Sequence, residues 1–123
     1  MTYLLIGLGG FLGANARYLV GTWMAERYGI SFPYGTVVIN VSGSFLLGFF
    51  LIFISERLSV HPNWRLFFAI GFLGAYTTFS TFSFENFALL QERSYLLALA
   101  NMLGSVALGL MAVVAGIIVA RLF

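Results

Sequence analysis

The chain contains no cysteine, no lysine and no aspartate, and its one histidine is His61. Without cysteine there are no disulfides and no thiolate metal ligands. A lone imidazole beside Pro62, in a linker, argues against a metal enzyme, and no nucleophile–base constellation argues for any other kind. Without lysine there is no phosphate-binding loop of the G-x-x-x-x-G-K-[ST] type. Charge of either sign is scarce: six arginines and four glutamates make 8% of 123 residues and a net +2. A soluble domain carries about 25% charged residues, so this surface is not built for water. The few arginines are scattered, which leaves no basic patch for nucleic acid. What fills the chain instead is apolar, 61% hydrophobic residues at a mean hydropathy of +1.00. These proportions predict an integral membrane protein.

A helical span takes about 20 apolar residues to cross roughly 30 Å of hydrocarbon. Four such stretches fit, at about 2–25, 34–54, 64–91 and 95–120. The breaks between them are Glu26-Arg27, then Ser55-Glu56-Arg57 with the linker through Asn63, then Glu92-Arg93-Ser94. Trp64 and Arg65 suit an interfacial position. The apolar amino terminus lacks a basic n-region and is long for a signal sequence, so it reads as the first span. The expectation is an all-α protein, one four-helix transmembrane domain over residues 1–123.

Four spans place both termini and the second linker on one side, with Arg57, Arg65 and Arg121. The other side holds Arg27 and Arg93, joined by Arg17 near the end of span one. The positive-inside rule has almost nothing to act on here. One reading is a weakly biased single topology. The other is dual topology, in which copies insert both ways and pair antiparallel.

Small and polar residues recur at helical spacing: Gly10, Gly13, Ala14, Arg17 and Gly21; Thr36, Asn40, Ser44 and Gly48; Asn101, Ser105, Gly109, Ala112 and Gly116. Close packing of a bundle accounts for the glycines, including the Gly9–Gly13 pair. It accounts less well for Asn40 and Asn101, whose carboxamides cost several kcal/mol if unpaired in hydrocarbon.

Span three, at some 28 residues, would measure about 42 Å as one straight helix. Near its middle runs Gly71-Phe-Leu-Gly-Ala-Tyr-Thr-Thr-Phe-Ser-Thr-Phe-Ser83, a poor sequence for continuing a helix. A break there would release backbone carbonyls at mid-membrane, where they line a cavity or bind an ion. The alternative is a continuous helix whose hydroxyls bond back to its own carbonyls. Beyond this point Phe79 and Phe82 share a face, Ser80 and Ser83 form a second track, and Thr78, Thr81 and Glu85 a third. Phenylalanine clusters are usually packing. As a pore lining they have another use, because hydroxyls and carboxamides donate to an anion and a phenyl ring offers it a positive edge. A small hydrated anion can exchange water for such neutral donors without being trapped, as conduction requires. Arg17 and Glu85 fall toward the same membrane side, as an ion pair or shared hydrogen-bond network, or with Arg17 in a charged vestibule.

The runs Gly9-Gly10-Phe-Leu-Gly13-Ala-Asn-Ala-Arg17-Tyr18, Gly35-Thr36-Val-Val-Ile-Asn40 and Gly71-Phe-Leu-Gly74, with Thr77-Thr-Phe-Ser-Thr-Phe-Ser83, resemble the CrcB/Fluc fluoride channels over essentially the whole chain. The resemblance implies an antiparallel dual-topology homodimer with two fluoride pathways in a cell inner membrane. It implies that ring edges of Phe79 and Phe82 meet fluoride, that Asn40 is the pore asparagine, and that Ser80, Thr81 and Ser83 form a polar track. Asn101 and Ser105 would be the pore-facing polar positions of span four. Carbonyls of Gly74 and Thr77 from both copies would surround a central structural sodium, Na+, with no organic cofactor. Arg17 and Glu85 match a basic and an acidic family position. Export would be passive, driven by the membrane potential. The main rival is a small multidrug-type proton-coupled exporter, which needs an ionisable carboxylate in the substrate path; Glu85 is the only one inside a span, and span one has none. A structural subunit, its polar stripes serving only as bundle glue, is a further alternative.

Overall fold

The computed structural model describes residues 1–57 and 61–123. Leu58, Ser59 and Val60 of the expected second linker lie outside the described residues. Helix α1 covers Thr2–Tyr28 and α2 covers Tyr34–Ile52, which runs on through one wider π-type turn, Phe53–Arg57. The third crossing begins as a π-type segment, Arg65–Leu73, and closes into one α turn, α3, Gly74–Tyr76. It resumes as α4, Ser80–Gln91, and α5 follows over Tyr95–Leu122. All described elements are helical, and four stretches are long and apolar enough to cross a membrane: Thr2–Tyr28, Tyr34–Glu56, Arg65–Gln91 and Tyr95–Leu122. This is a multi-pass membrane protein.

The first helix outruns its expected end, and Arg27 there has a local partner. The Arg27 guanidinium lies 5.4 Å from the centre of the Trp23 ring one turn back, and a cation also suits a helix C-terminus. Termination waits for Gly29, whose φ of 83° belongs to the left-handed region that glycine enters freely. The wide turn after α2 contains Ser55, whose hydroxyl donates to the Leu51 carbonyl at 2.6 Å. Such back-bonding competes with the regular ladder.

Packing follows chain direction. Odd-numbered crossings run one way and even-numbered ones the other, so α2 lies along α5 as a parallel partner and α1 lies along Arg65–Leu73. Small residues bring these backbones together. A Cβ on Gly9 would strike the Phe67 carbonyl oxygen and one on Gly13 the Phe72 carbonyl oxygen. The α2–α5 pair is built the same way, with Gly116 against the Phe45 carbonyl. Close backbone approach replaces the hydrophobic driving force that lipid removes. The buried centre is small, formed by Ile39, Leu73 and Tyr76 with Val20, Leu46 and Phe72 packed on it. Large apolar side chains such as Leu4, Phe11, Leu103 and Leu110 face outward, where a bilayer would lie. At one end of the bundle Arg121 makes a forked ion pair with Glu56, both contacts 3.2 Å, joining the ends of α5 and the second crossing.

Candidate functional site

The site is organised by how the third crossing changes direction. Thr77 keeps its N–H on the Leu73 carbonyl at 3.1 Å and adds its own hydroxyl to the same oxygen at 2.9 Å. Its ψ then swings to 158°, which is extended backbone. The next amide, Thr78 N–H, would serve the Gly74 carbonyl in a continuous helix. Instead it donates to Asn40 Oδ1 at 2.8 Å, and Asn40 Nδ2 donates to the Thr78 carbonyl at 3.0 Å. Asn40 thus grips both polar groups of one peptide residue, as a neighbouring strand would. Thr81 N–H turns to the Thr78 side-chain hydroxyl, at 3.3 Å, and helical bonding restarts with Ser83 N–H on the Phe79 carbonyl, at 2.9 Å. On the inner side, the Tyr76 hydroxyl and Ser42 share a hydrogen bond of 3.0 Å.

Around this interruption opens a central groove of about 360 Å³. Of the residues singled out from the sequence it gathers eight: Asn40, Ser44, Gly74, Thr77, Thr78, Phe79, Phe82 and Ser105. None of its lining residues is charged. A carboxamide nitrogen carries two hydrogens, so Asn40 holds Thr78 with one and keeps the other. The Phe79 and Phe82 rings stand 6.1 Å apart and tilted by 42°, Phe79 being 78% exposed. Gly74, Ser80, Thr81 and Ser83 are exposed as well. The polar track of α4 is therefore divided. Thr81 faces a second cavity with Arg17, Thr78 and Thr36, of about 650 Å³. Ser80 and Ser83 are on the open surface and line none of the cavities described here.

A third cavity, about 250 Å³, lies under the α1–α2 corner and contains Thr36, Glu85 and Glu92. Thr36 borders this cavity and the second, and Thr78 borders the second and the central groove.

Glu85 and Asn101 have hydrogen-bond partners of their own. Arg17 and Glu85 are not joined by an ion pair among the described residues; Glu85 instead accepts a 2.6 Å hydrogen bond from the Thr36 hydroxyl. The two charges sit on different cavities with Thr36 common to both, so they share a neighbour rather than a bond. Asn101, expected to face a pore, has no exposed surface. Its carboxamide donates to Asn86 Oδ1 at 2.7 Å and accepts from Ser105 at 3.1 Å, which holds it between α4 and α5. Asn86, 6% exposed, escaped the sequence reading. The available signal was that a second carboxamide, seven residues after Phe79, also had to find a partner in hydrocarbon.

Comparison with known proteins places the chain. The family described as CrcB-like protein, Camphor Resistance (CrcB), matches residues 4–117. A protein of Solibacter usitatus (strain Ellin6076) named fluoride-specific ion channel FluC is 52% identical over 121 residues, 98% of this chain and 99% of that one. Proteins of the same name from Sulfurihydrogenibium sp. (strain YO3AOP1) and Rhizobium meliloti (strain 1021) are 44% and 48% identical, over 98% and 96% of this chain and 97% and 94% of their own. With its four apolar crossings and a match over nearly its whole length, the chain belongs to the CrcB family.

Proposed function

We propose that the chain is a passive, fluoride-selective channel through which cytoplasmic fluoride leaves the cell, and not an enzyme. The relatives' shared name supplies the ion. The observation in this chain that carries the reading is the central groove, lined by neutral donors and two phenyl rings without a charged side chain. Asn40 offers its remaining N–H, Thr78 offers its hydroxyl, Phe79 and Phe82 offer ring edges, and Ser105 adds a hydroxyl whose proton lies on Asn101. Each contact is weak, so an anion is coordinated and released in turn. Arg17 supplies a positive charge to the adjoining cavity, which Glu26 also borders. An inside-negative potential expels an anion with about 2.3 kcal/mol per charge per 100 mV. Nothing further is needed to drive export. A proton-coupled exporter would need a carboxylate in the substrate path, and Glu85 is bonded to Thr36 outside the groove.

The working unit of this reading is an antiparallel homodimer with two pathways, in a bacterial inner membrane. The near-even arginine distribution supports dual insertion. The open polar face supports a second copy: Gly74, Ser80, Thr81 and Ser83 would otherwise meet lipid beside Phe79. A structural sodium at the centre suits the donors present. The Gly74 carbonyl has lost its helical N–H to Asn40, and Gly74 is exposed. Among the described residues no three His, Cys, Asp or Glu side chains converge, so the ligands on offer are neutral carbonyl oxygens, which suit a hard cation. Gly74 and Thr77 of one chain would hold it incompletely; two copies would complete the shell.

The test is efflux from liposomes containing only the purified protein, comparing fluoride with chloride under a potassium–valinomycin gradient. Voltage-driven fluoride efflux with chloride retained is expected, together with its loss in Phe79→Ile or Phe82→Ile. Absence of fluoride efflux from folded protein would sink the reading.

A further inference from the structure

Among the described residues Asn101 is the largest side chain with no exposed surface, and it is polar. Its bonds form a short ladder with a direction: Ser105 Oγ donates to Asn101 Oδ1, and Asn101 Nδ2 donates to Asn86 Oδ1. Ser105 is also a wall of the central groove, with Asn40, Thr78, Phe79 and Phe82. Neither asparagine lines that groove. The direction of the ladder matters to an anion. As arranged, the Ser105 proton is spent on Asn101, so the oxygen turns lone pairs toward the groove. Fluoride there meets an acceptor, which repels it.

The ladder has a second arrangement of equal bond count. A carboxamide has nearly the same shape when its oxygen and nitrogen exchange places, so turning it over disturbs packing little. If Asn86 and Asn101 turn over together, Asn86 donates to Asn101, Asn101 donates to Ser105, and the Ser105 proton is released toward the groove. Turning over one alone sets donor against donor or acceptor against acceptor, at the cost of buried unpaired groups. The two side chains are therefore coupled. The geometry points to Asn86 and Asn101 as positioning residues, a reversible pair whose direction decides whether Ser105 offers fluoride a donor or an acceptor. This rests on the channel reading above and adds to it a control exerted from outside the groove.

The competing role is mechanical: the same bonds fasten α4 to α5. Double-variant efflux measurements separate the two. In Asn101→Leu the Ser105 hydroxyl is left with the main-chain carbonyl one turn back, and the groove loses that donor permanently. Efflux from liposomes is expected to fall about tenfold in Asn101→Leu and in Ser105→Ala, the scale of one hydrogen bond to a charged group. The double variant Asn101→Leu/Ser105→Ala is expected to conduct no more slowly than Ser105→Ala alone. Asn86→Leu, which frees Asn101 to turn over alone and donate to Ser105, is expected to raise efflux when Ser105 is present and to leave Ser105→Ala unchanged. A fastening role predicts that each asparagine substitution lowers efflux by the same factor in both backgrounds. That additive result overturns the proposal, as does unchanged efflux in both single asparagine variants. Should Asn101→Leu fail to fold by size-exclusion chromatography, the Asn86→Leu comparison decides. An unmodified chain that passes no fluoride overturns the channel reading and the ladder with it, an outcome distinct from additive losses in a conducting protein.

Discussion

Replacing Asn40 with leucine, a side chain of similar length and branching, removes the grip on Thr78. Two backbone groups lose their partners, an N–H held at 2.8 Å and a carbonyl held at 3.0 Å. A buried polar group left unpaired costs about 1–3 kcal/mol, so the pair sets a range of about 2–6 kcal/mol. Two features pull the value toward the lower end. Both residues border the central groove, so water can reach some of the released bonding capacity. The added apolar contact of leucine also returns on the order of 1 kcal/mol. The expected net loss is about 2–3 kcal/mol, read as reversible unfolding in detergent micelles against the unmodified protein. Fluoride efflux should fall in the same variant, because the groove loses a donor and the backbone that shapes it loses its anchor. A variant within about 0.5 kcal/mol of the unmodified chain would refute the reasoning, since changes of that size are typical of surface positions.

Other substitutions probe separate parts of the argument. Gly13→Ala drives a methyl into the Phe72 carbonyl and should cost about 1–3 kcal/mol. Gly10→Ala, whose Cβ would lie 3.8 Å from the Gly71 carbonyl oxygen, should be tolerated; equal stabilities for the two variants would contradict the packing described. Thr36→Val keeps the shape but strips the donor from Glu85, and a loss of about 1–3 kcal/mol is expected. Glu85→Gln, still an acceptor for Thr36, should lose less, and the reverse order by thermal unfolding would count against the bond. Arg17→Ala and Glu85→Ala should change the logarithm of efflux additively, because no ion pair couples them among the described residues.

The crossings were legible because hydropathy and length decide them almost alone. Their ends were less so: α1 runs to Tyr28 rather than stopping at Glu26-Arg27, and the Arg27 guanidinium lies over Trp23. The glycine faces were also readable, since only close backbone contact makes a repeated absence of side chain useful. The gathering of Asn40, Phe79, Phe82 and Ser105 around one groove could be anticipated from helical spacing and the family resemblance together. What spacing could not supply was the partner of each polar group. Arg17 and Glu85 suggested a pair by sign and depth. Thr36, uncharged and easily read as stripe filler, holds the carboxylate instead. Asn101 and Asn86 show the same limit from the other side. Hydrocarbon forces each carboxamide to be satisfied, but which partner satisfies it depends on how α4 is set against α5.

Those pairings also explain where charge is kept. Charged side chains border the outer two cavities, Glu85 and Glu92 one and Arg17 with Glu26 the other, while the groove at the interruption carries none. A full positive charge inside the groove would hold an anion too strongly to release it, and a full negative charge would exclude it. Attraction without trapping therefore calls for charge at the approach and neutral donors at the narrow part. Neutral donors act only if their hydrogens point inward, and side chains in hydrocarbon spend their hydrogens on whatever acceptor is nearest. Asn40 meets the requirement by having two hydrogens on one nitrogen, one for Thr78 and one to spare. Ser105 has a single hydrogen and gives it to Asn101. In the proposed pathway Asn40 and Ser105 thus differ in kind, a fixed donor on α2 and a switchable one on α5. A pathway in which every donor was fixed would bind its anion more tightly at each step, and one in which every donor was spent elsewhere would not bind it at all.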